Sequence, residues 1–256
     1  NIANFNSVEE FRIAVGLASK FLVCGTLRAD LPYPKVEETR KKNRRLGLGL
    51  MGIHEWLLAR HYKYEVTHEL HEWLSVWRDE SEAISNEYCD ELEISRPVKY
   101  RSIAPTGTIG IMASTTTGIE PLFAVAYKRR YVVNGTEWKF EYVVDATAER
   151  LITDYGLDPE EIETSYSLAN NPERRIKFQY DIQKYVDHAI SSTLNLPAWG
   201  TEQNNDKFAV DLANIMLKYY HGLRGLTVYP DGARGGQPLT PVPYDVAKAQ
   251  MGVVYD

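Results

Sequence analysis

The chain has 256 residues, 44% of them hydrophobic and 25% charged, a balance typical of a globular protein with one large domain or two small ones. The net charge is -6, and lysine and arginine form no long basic stripe, which argues against a nucleic-acid-binding groove. The one basic cluster is Arg40–Arg45. We interpret it as a solvated helix face, with an anion site as the alternative.

The sequence gives no sign of a membrane protein or of a metalloprotein. It has no stretch of about 18 apolar residues, and Asn1–Phe5 resembles neither a signal peptide nor a methionine start, which suggests a cut, processed or split product. The two cysteines, Cys24 and Cys89, fall in helical stretches and predict unpaired buried thiols in a reducing cytoplasm. No cysteine and histidine residues show zinc spacing, so we predict no metal site.

The first 92 residues are predicted to be mostly helical. Ser7 can cap a helix over Ser7–Leu27, because two glutamates follow in its first turn and apolar residues recur at helical spacing. Three further helices are predicted: Val36–Arg45, Leu50–Arg60 and Val66–Leu92. Together they could cover one face of a sheet.

The rest of the chain mixes strands and helices. Predicted strands are Tyr100–Ala104, Leu122–Val132, Lys139–Val144, Thr193–Leu196 and Gly225–Tyr229, with a turn at Asn134-Gly135. Predicted helices are Ala146–Tyr155, Pro159–Glu163, Asp181–Ser191 and Asp206–His221, and a tail rich in proline and glycine, ordered or frayed, begins at Pro230. Helix-then-strand units favour a parallel α/β arrangement, either half of a large barrel or an open sheet that needs a partner.

The segment Ser102–Gly110 is the strongest candidate site. A strand ends at Pro105, and a turn of small and hydroxyl residues opens a short helix. Such a turn exposes several backbone N–H groups, while Thr106 and Thr108 add hydroxyl donors, so the segment can cradle a phosphate. Gly107 and Gly110 would let the ligand approach the backbone. An ordinary strand-to-helix turn is the simpler interpretation.

Three other patterns are weaker. Gly47–Gly52 matches the G-x-G-x-x-G string of dinucleotide-binding proteins, but no buried strand precedes it, and we favour close packing of two helical segments through the glycines. Asn86, Cys89 and Glu91 form N-x-x-C-x-E on a surface-like helix and do not converge on one substrate atom. His68 and His71 are interpreted as a surface pair, not as metal ligands.

Five segments, in the correct order, resemble the large (catalytic) subunits of ribonucleotide reductases. The matching blocks are RRLGLGLMG at Arg44–Gly52, the APTGTI loop within Ile103–Ile109, TGIEPLFA at Thr117–Ala124, DHAISSTLNLP at Asp187–Pro197 and GLRGLTVYPDGAR at Gly222–Arg234. Two positions depart from the family pattern, His188 and Ser192, the second being a lysine in most members. One block alone is a weak signal, whereas five in order are highly specific.

The resemblance implies the second half of a ten-stranded α/β barrel, with residues 1–239 as the half-barrel and residues 240–256 as a C-terminal tail. The family's finger loop, which carries the thiyl-radical cysteine, would lie upstream, and neither Cys24 nor Cys89 occupies its place. The catalytic residues are therefore expected on a missing or separate N-terminal part. The redox cysteine pair found at the C-terminus of many members is also absent from the sequence.

The resemblance also implies a function, the reduction of ribonucleotides to 2′-deoxyribonucleotides by radical chemistry. Pro105, Thr106, Gly107, Thr108 and Ile109 would hold the substrate phosphates. Thr227 and Val228 stand where the small-subunit-dependent class has two relay tyrosines, so adenosylcobalamin is the favoured cofactor and a metal-radical small subunit the alternative. Expected partners are the N-terminal half, a nucleotide and a thioredoxin-like dithiol reductant. Diphosphate and triphosphate substrates are both compatible with the sequence.

Two alternatives stay open at this point. The chain could be a non-catalytic half-barrel that completes a partner's active site, in which case an apolar edge should be exposed. It could also be a nicotinamide-dependent dehydrogenase built on Gly47–Gly52, which would require a strand directly before Gly47.

Overall fold

The computed structural model of the chain describes residues 1–233 and 239–255. Its helices are α1 Val8–Arg28, α2 Pro34–Asn43, α3 Ile53–Leu58, α4 His68–Glu91, α5 Gly107–Met112, α6 Ala146–Tyr155, α7 Ser165–Leu168, α8 Pro172–Gln183, α9 Asp206–Tyr219 and α10 Tyr244–Gln250. Its strands are β1 Ala126–Val133, β2 Glu137–Val144, β3 Thr193–Leu196, β4 Thr227–Pro230, β5 Leu239–Pro241 and β6 Val254–Tyr255. Arg234, the end of the fifth matching block, lies outside the described residues.

Four extended segments run side by side in the same direction. Leu48 pairs with Arg101, Ile103 pairs with Ile190, and β3 pairs with β4, all in parallel. The predicted strand at Tyr100–Ala104 is reduced to these single bridges, but its parallel neighbours are as expected for an α/β arrangement. The segments therefore form one parallel layer, in chain order from residue 46 to residue 230.

Long helices cover this layer and enclose the main core. α1 packs along α4, and α8 contacts both β3 and α9. The core contains Trp56, Trp73, Trp77 and Phe178, which are almost fully buried. Each large aromatic side chain removes about 150–250 Å² from water, so this cluster is a main source of stability.

Polar caps begin the two longest helices, at the predicted Ser7 and at Thr67, which was not predicted as a cap. The Ser7 hydroxyl accepts a hydrogen bond from the Glu10 amide, and the Thr67 hydroxyl accepts one from Leu70. Each satisfies an amide that has no intrahelical acceptor. The helices predicted over Ser7–Leu27 and Val66–Leu92 are confirmed to within two residues at each end. The predicted helix Leu50–Arg60 shortens to α3, because Gly52 adopts a left-handed conformation and starts the helix after it.

Two predicted helices are wrong. Residues 159–161 form a turn in place of the helix Pro159–Glu163, and the Asp158 carboxylate accepts from the Glu160 amide there. The helix predicted over Asp181–Ser191 is instead α8, which begins nine residues earlier and ends at Gln183. Asn171 caps α8 and Pro172 occupies its first position, a start signal that the apolar pattern obscured.

The hairpin β1–β2 forms a second, antiparallel sheet. Asn134 and Gly135 turn with φ of 54° and 81°, as the predicted hairpin requires. The C-terminal segment is ordered around this hairpin: β5 pairs with β1, β6 pairs with β2, and α10 packs against them. The division of the chain after residue 239 stays a prediction. No helix among the described residues is both long and apolar enough to cross a membrane.

Candidate functional site

The predicted phosphate loop lies at the carboxyl end of the parallel segment that contains Arg101 and Ile103. Thr106 has φ of 50° and starts α5, and the next three residues, Gly107, Thr108 and Ile109, are exposed. The amides of a helix's first turn have no intrahelical acceptor. The loop therefore points a group of free N–H donors towards solvent, as an anion cradle requires.

One contact fixes the back of the loop. The Thr106 hydroxyl oxygen accepts a hydrogen bond from the Gly118 amide at 2.8 Å. Gly118 itself has φ of 48°, and a Cβ there would lie 3.1 Å from the Ala104 carbonyl oxygen. Gly110 is buried, and a Cβ there would lie 2.6 Å from Thr117, so its small size serves packing and not the ligand approach expected from the sequence.

A buried carboxylate on α3 holds the segment that follows α5. The Thr115 hydroxyl donates to Glu55 Oε2 at 2.5 Å, and the Glu55 amide donates to the Thr116 hydroxyl at 3.2 Å. Arg150 on α6 donates to Glu55 Oε1 at 2.5 Å and neutralises the charge. Burial of an unpaired carboxylate would be costly, so the arginine is needed for this arrangement.

A second ion pair, of a buried arginine and a partly buried glutamate, lies at the other end of the same segment. The Arg175 guanidinium contacts the Glu120 carboxylate and donates to the Thr193 carbonyl at 2.6 Å. Glu120 also accepts from the Thr193 amide at 2.6 Å and from the Ser192 hydroxyl at 3.2 Å. This pair ties residue 120 to β3. Ser192, which departs from the family pattern, thus acts as a donor to Glu120.

Two buried rings pack behind the ion pair. Tyr64 receives a hydrogen bond from Arg175 and donates to the Ile119 carbonyl at 2.5 Å, and burial raises its phenol pKa well above the ordinary value. His54 Nδ1 accepts from the Leu122 amide at 3.0 Å. Burial, and then the charge of Arg175, lower the His54 pKa to about 3, so the ring is neutral. His54 Nε2 has no partner within the described part of the chain.

The rejected motifs behave as packing elements. A Cβ at Gly49 would lie 2.5 Å from the Ser102 carbonyl oxygen, so the glycines of G-x-G-x-x-G do permit close packing, but between two extended segments and not between helices. No strand element precedes Gly47, which removes the basis for a dehydrogenase. Cys89 is fully buried, and burial raises its thiol pKa. Cys24 is also unpaired but only partly buried, so the prediction of a buried thiol is wrong for it, and its sulfur lies 3.4 Å from the Tyr88 hydroxyl.

The sequence pattern predicts the exposed turn at residues 105–109 but not the ion pairs that hold the neighbouring segment in place. Glu55 falls within the predicted helix Leu50–Arg60, where it follows His54 and precedes the apolar residues Trp56, Leu57 and Leu58. That placement is the signal that could have revealed a buried charge. Within residues 1–233 and 239–255, no cluster of three or more histidine, cysteine, aspartate or glutamate residues could hold a metal ion.

Known proteins resemble this chain over most of its length. The family model described as "Ribonucleotide reductase, barrel domain" matches residues 1–73 and 98–229. A vitamin B12-dependent ribonucleoside-diphosphate reductase of Mycobacterium tuberculosis is 28% identical over 88% of the chain. One from Thermoplasma acidophilum is 26% identical over 91% of the chain.

Solved structures show the same fold. The crystal structure of a B12-dependent (class II) ribonucleotide reductase superposes with a TM-score of 0.75 at 14% identity, over 93% of this chain and 37% of that one. The alpha subunit of a class Id ribonucleotide reductase from Actinobacillus ureae gives a TM-score of 0.60 at 18% identity, over 86% of this chain and 46% of that one.

The match is partial on the relatives' side. The chain spans 37% of the Mycobacterium tuberculosis protein and 34% of the Thermoplasma acidophilum protein. The expected α/β fold, part of a ribonucleotide reductase barrel, is confirmed by the family match and by the superposition. The chain therefore belongs to the family of the ribonucleotide reductase barrel domain.

Proposed function

We propose that the chain is part of a ribonucleotide reductase that converts ribonucleotides to 2′-deoxyribonucleotides, and that it supplies the loop that binds the substrate phosphates. The observation that carries the proposal is the geometry of residues 105–109. An exposed turn of free amides follows the carboxyl end of a parallel strand segment, where α/β proteins commonly bind ligands. The buried pairs behind it hold the turn in place.

The roles of the loop residues follow from their exposure. The amides of Gly107, Thr108 and Ile109 would donate to phosphate oxygens, and the exposed Thr108 hydroxyl would add one more donor. Thr106 acts mainly through its bond to Gly118, which sets the direction of the turn. Pro105 ends the strand segment and contributes no amide donor.

The favoured cofactor is adenosylcobalamin, which would supply the radical when bound. The relatives are named vitamin B12-dependent reductases. In this chain, Thr227 and Val228 lie on β4, paired with Thr193 and Leu194. Neither side chain can be oxidised as a relay, so a radical delivered along adjacent tyrosines has no path at these two positions. A metal-radical small subunit is the alternative source.

The remaining chemistry belongs to partners. The thiyl cysteine would come from an N-terminal half-barrel, because Cys89 is buried in a helix–helix core and Cys24 packs beside Tyr88. A thioredoxin-like dithiol would return the electrons used in each turnover. We place the assembled enzyme in the cytoplasm, where both the nucleotides and the dithiol are found.

The experiment is nucleotide reduction by this chain with and without a co-expressed upstream half, in the presence of a dithiol. We expect deoxynucleotide only when the upstream half and adenosylcobalamin are both present. Product formed with a metal-radical small subunit in place of cobalamin would overturn the cofactor but not the reductase. Turnover by this chain alone would contradict the assignment of the radical cysteine to another segment.

A second candidate function is a non-catalytic half-barrel that completes a partner's active site. It is favoured by apolar side chains on the helices that flank the two ends of the parallel layer. Ile13, Leu17 and Phe21 on α1 are 59–75% exposed, and Val210 and Leu217 on α9 are 62% and 66% exposed. Such stripes on a monomer mark surfaces that are covered in an assembly. A complex that forms with the upstream half yet yields no deoxynucleotide under either radical source would support this function.

A further inference from the structure

A basic cleft lies beside α2, at the basic cluster Arg40–Arg45. The sequence allows two interpretations of this cluster, a solvated helix face or an anion site. The volume of the cleft is about 470 Å³. We call it the α2 cleft. Its lining includes Tyr33, Lys35, Thr39, Arg40, Asn43 and Arg45. A volume of this size accommodates a nucleotide-sized molecule.

The cleft concentrates positive charge in a chain whose net charge is -6. Three of its lining side chains are cationic and none is a carboxylate. Among the residues that the structure describes, Lys35 and Arg45 have no ion-pair partner. Glu37, next to the lining on α2, pairs with Lys41 at 2.8 Å and lies 3.8 Å from Arg40. Unneutralised cations around one concavity favour an anionic ligand.

The walls of the cleft are held by the fold. Arg40 Nη1 donates to the Ala29 carbonyl at 2.7 Å, which fixes its guanidinium at the end of α1. The buried Arg44 donates to the Ser95 carbonyl at 3.0 Å and to the Thr26 hydroxyl at 2.8 Å. Because Arg44 is anchored in this way, the backbone of Arg45 is also fixed at the mouth of the cleft.

The helix dipole does not explain this arrangement. Basic residues in the last turn of α2 would complement the partial negative charge of a helix C-terminus. Lys35, however, lies in the first turn, where a cation is disfavoured, and Arg45 lies beyond the end of the helix. The dipole therefore does not account for Lys35, one of the two lining cations without an ion-pair partner among the described residues.

The cleft is separate from the phosphate loop. It ends at Arg45, before the extended segment that begins at Leu46, and the Leu46 amide donates to the Lys99 carbonyl. The phosphate loop follows Ala104, at the other end of the parallel neighbour. The extended residues 100–104 separate the end of the cleft from the loop, and five such residues span about 17 Å at about 3.3 Å each. One phosphate group therefore cannot occupy both sites.

We propose that the α2 cleft binds a nucleoside polyphosphate, with Lys35, Arg40 and Arg45 holding the phosphates. The Tyr33 ring, 56% exposed at the rim, provides a surface on which the base can stack. Thr39 and Asn43 line the same cleft and offer hydrogen bonds to the sugar. This site does not depend on the function proposed for the loop at residues 105–109.

The test is calorimetric titration of the chain with ATP and with inorganic pyrophosphate at low salt, with amide shifts recorded by NMR. We expect residues 33–45 to shift with both ligands. The variant Lys35→Gln/Arg45→Gln should bind both at least tenfold more weakly. The matched control, Lys41→Gln/Lys42→Gln, removes the same charge from exposed positions of the same helix outside the cleft and should change the affinity less than twofold. Tyr33→Leu should weaken ATP binding several-fold and leave pyrophosphate binding unchanged.

Two results would overturn the proposal. Equal losses in the two double variants would mean that the anions are attracted by net charge alone. Amide shifts confined to residues 106–109 would mean that phosphate binds only at the loop, which would leave the proposed function intact. Conversely, shifts confined to residues 33–45 would support the cleft and count against the loop, so the failure of one site is distinguishable from the failure of the other.

Discussion

The front and the back of the phosphate loop differ in how they are built. At the front, residues 107–109 are exposed and their amides have no intrahelical acceptor. At the back, residues 114–122 are fixed by the buried Glu55 and the partly buried Glu120, each paired with an arginine from a distant helix. We therefore expect stability and ligand binding to be separable here. Substitutions at the back should change the free energy of unfolding, and substitutions at the front should change affinity.

The largest effect is expected from Arg175→Leu. It would remove the buried cation from the partly buried Glu120, so we expect a loss of about 2–4 kcal/mol in the free energy of unfolding, less than for a fully buried pair. The matched control is Arg174→Leu, one residue earlier, whose arginine side chain is 34% exposed against 3% for Arg175, so the loss should be about 1 kcal/mol or less. Urea unfolding of both variants gives the comparison. Equal losses would show that the Glu120–Arg175 pair has no special role behind the loop.

The second effect depends on pH. Unfolded chain takes up a proton at His54 near pH 6.5, whereas the native protein resists protonation until about pH 3. The unfolded state therefore binds more protons between these values, and native stability is lost as the pH falls, by up to about 1.4 kcal/mol per pH unit. His54→Asn keeps an acceptor for the Leu122 amide but cannot titrate. Its stability should fall less steeply than that of the wild type, and parallel pH profiles would contradict the assignment.

A smaller effect is expected from Gly118→Ala. The methyl group would occupy a left-handed backbone and meet the Ala104 carbonyl oxygen, so we expect a loss of about 1–3 kcal/mol. Gly135→Ala at the hairpin turn is the control, because it has the same backbone strain but open space around the added carbon. The difference between the two unfolding free energies measures the contact at the back of the loop. A difference near zero would mean that the contact relaxes at no cost.

The smallest effect on stability, with the opposite sign, is expected at the front. Thr108→Glu places a negative charge in the first turn of α5, which should leave the protein unchanged or stabilise it by up to about 0.5 kcal/mol. The same charge should repel phosphate and reduce pyrophosphate affinity at the loop at least tenfold. Thr108→Gln, similar in size but neutral, is the control and should retain most of the affinity. A destabilised Thr108→Glu variant would contradict the expectation that substitutions at the front of the loop change affinity and not the free energy of unfolding.

Local signals explain what the sequence could predict. Ser7, Thr67 and Asp145 each cap a helix that follows directly, and the turn at Asn134-Gly135 specifies its own hairpin. The local structure of the proposed phosphate loop was also predictable, because its strand end, turn and helix start are contiguous. The resemblance to ribonucleotide reductases, which rests on ordered blocks such as TGIEPLFA, predicted that the chain forms part of an α/β barrel.

Distant contacts explain what the sequence could not predict. Glu55 and Arg150 are 95 positions apart, and nothing in either local pattern specifies the other. The helix placed at Asp181–Ser191 was wrong for the same reason: the Asp187 carboxylate accepts from the Tyr100 and Arg101 amides, which draws this stretch into the parallel layer. The ordered C-terminal segment depends on pairing with β1 and β2, more than 100 positions earlier for each added strand.

An NMR titration of the chain with a nucleoside diphosphate would show whether the loop at residues 105–109 binds the substrate phosphates. We expect saturable shifts of the Gly107, Thr108 and Ile109 amides, lost in Thr108→Glu and retained in Thr108→Gln. Amides of residues 107–109 that do not move at saturating ligand, or that move equally in Thr108→Glu, would contradict the assignment of this loop to the substrate phosphates.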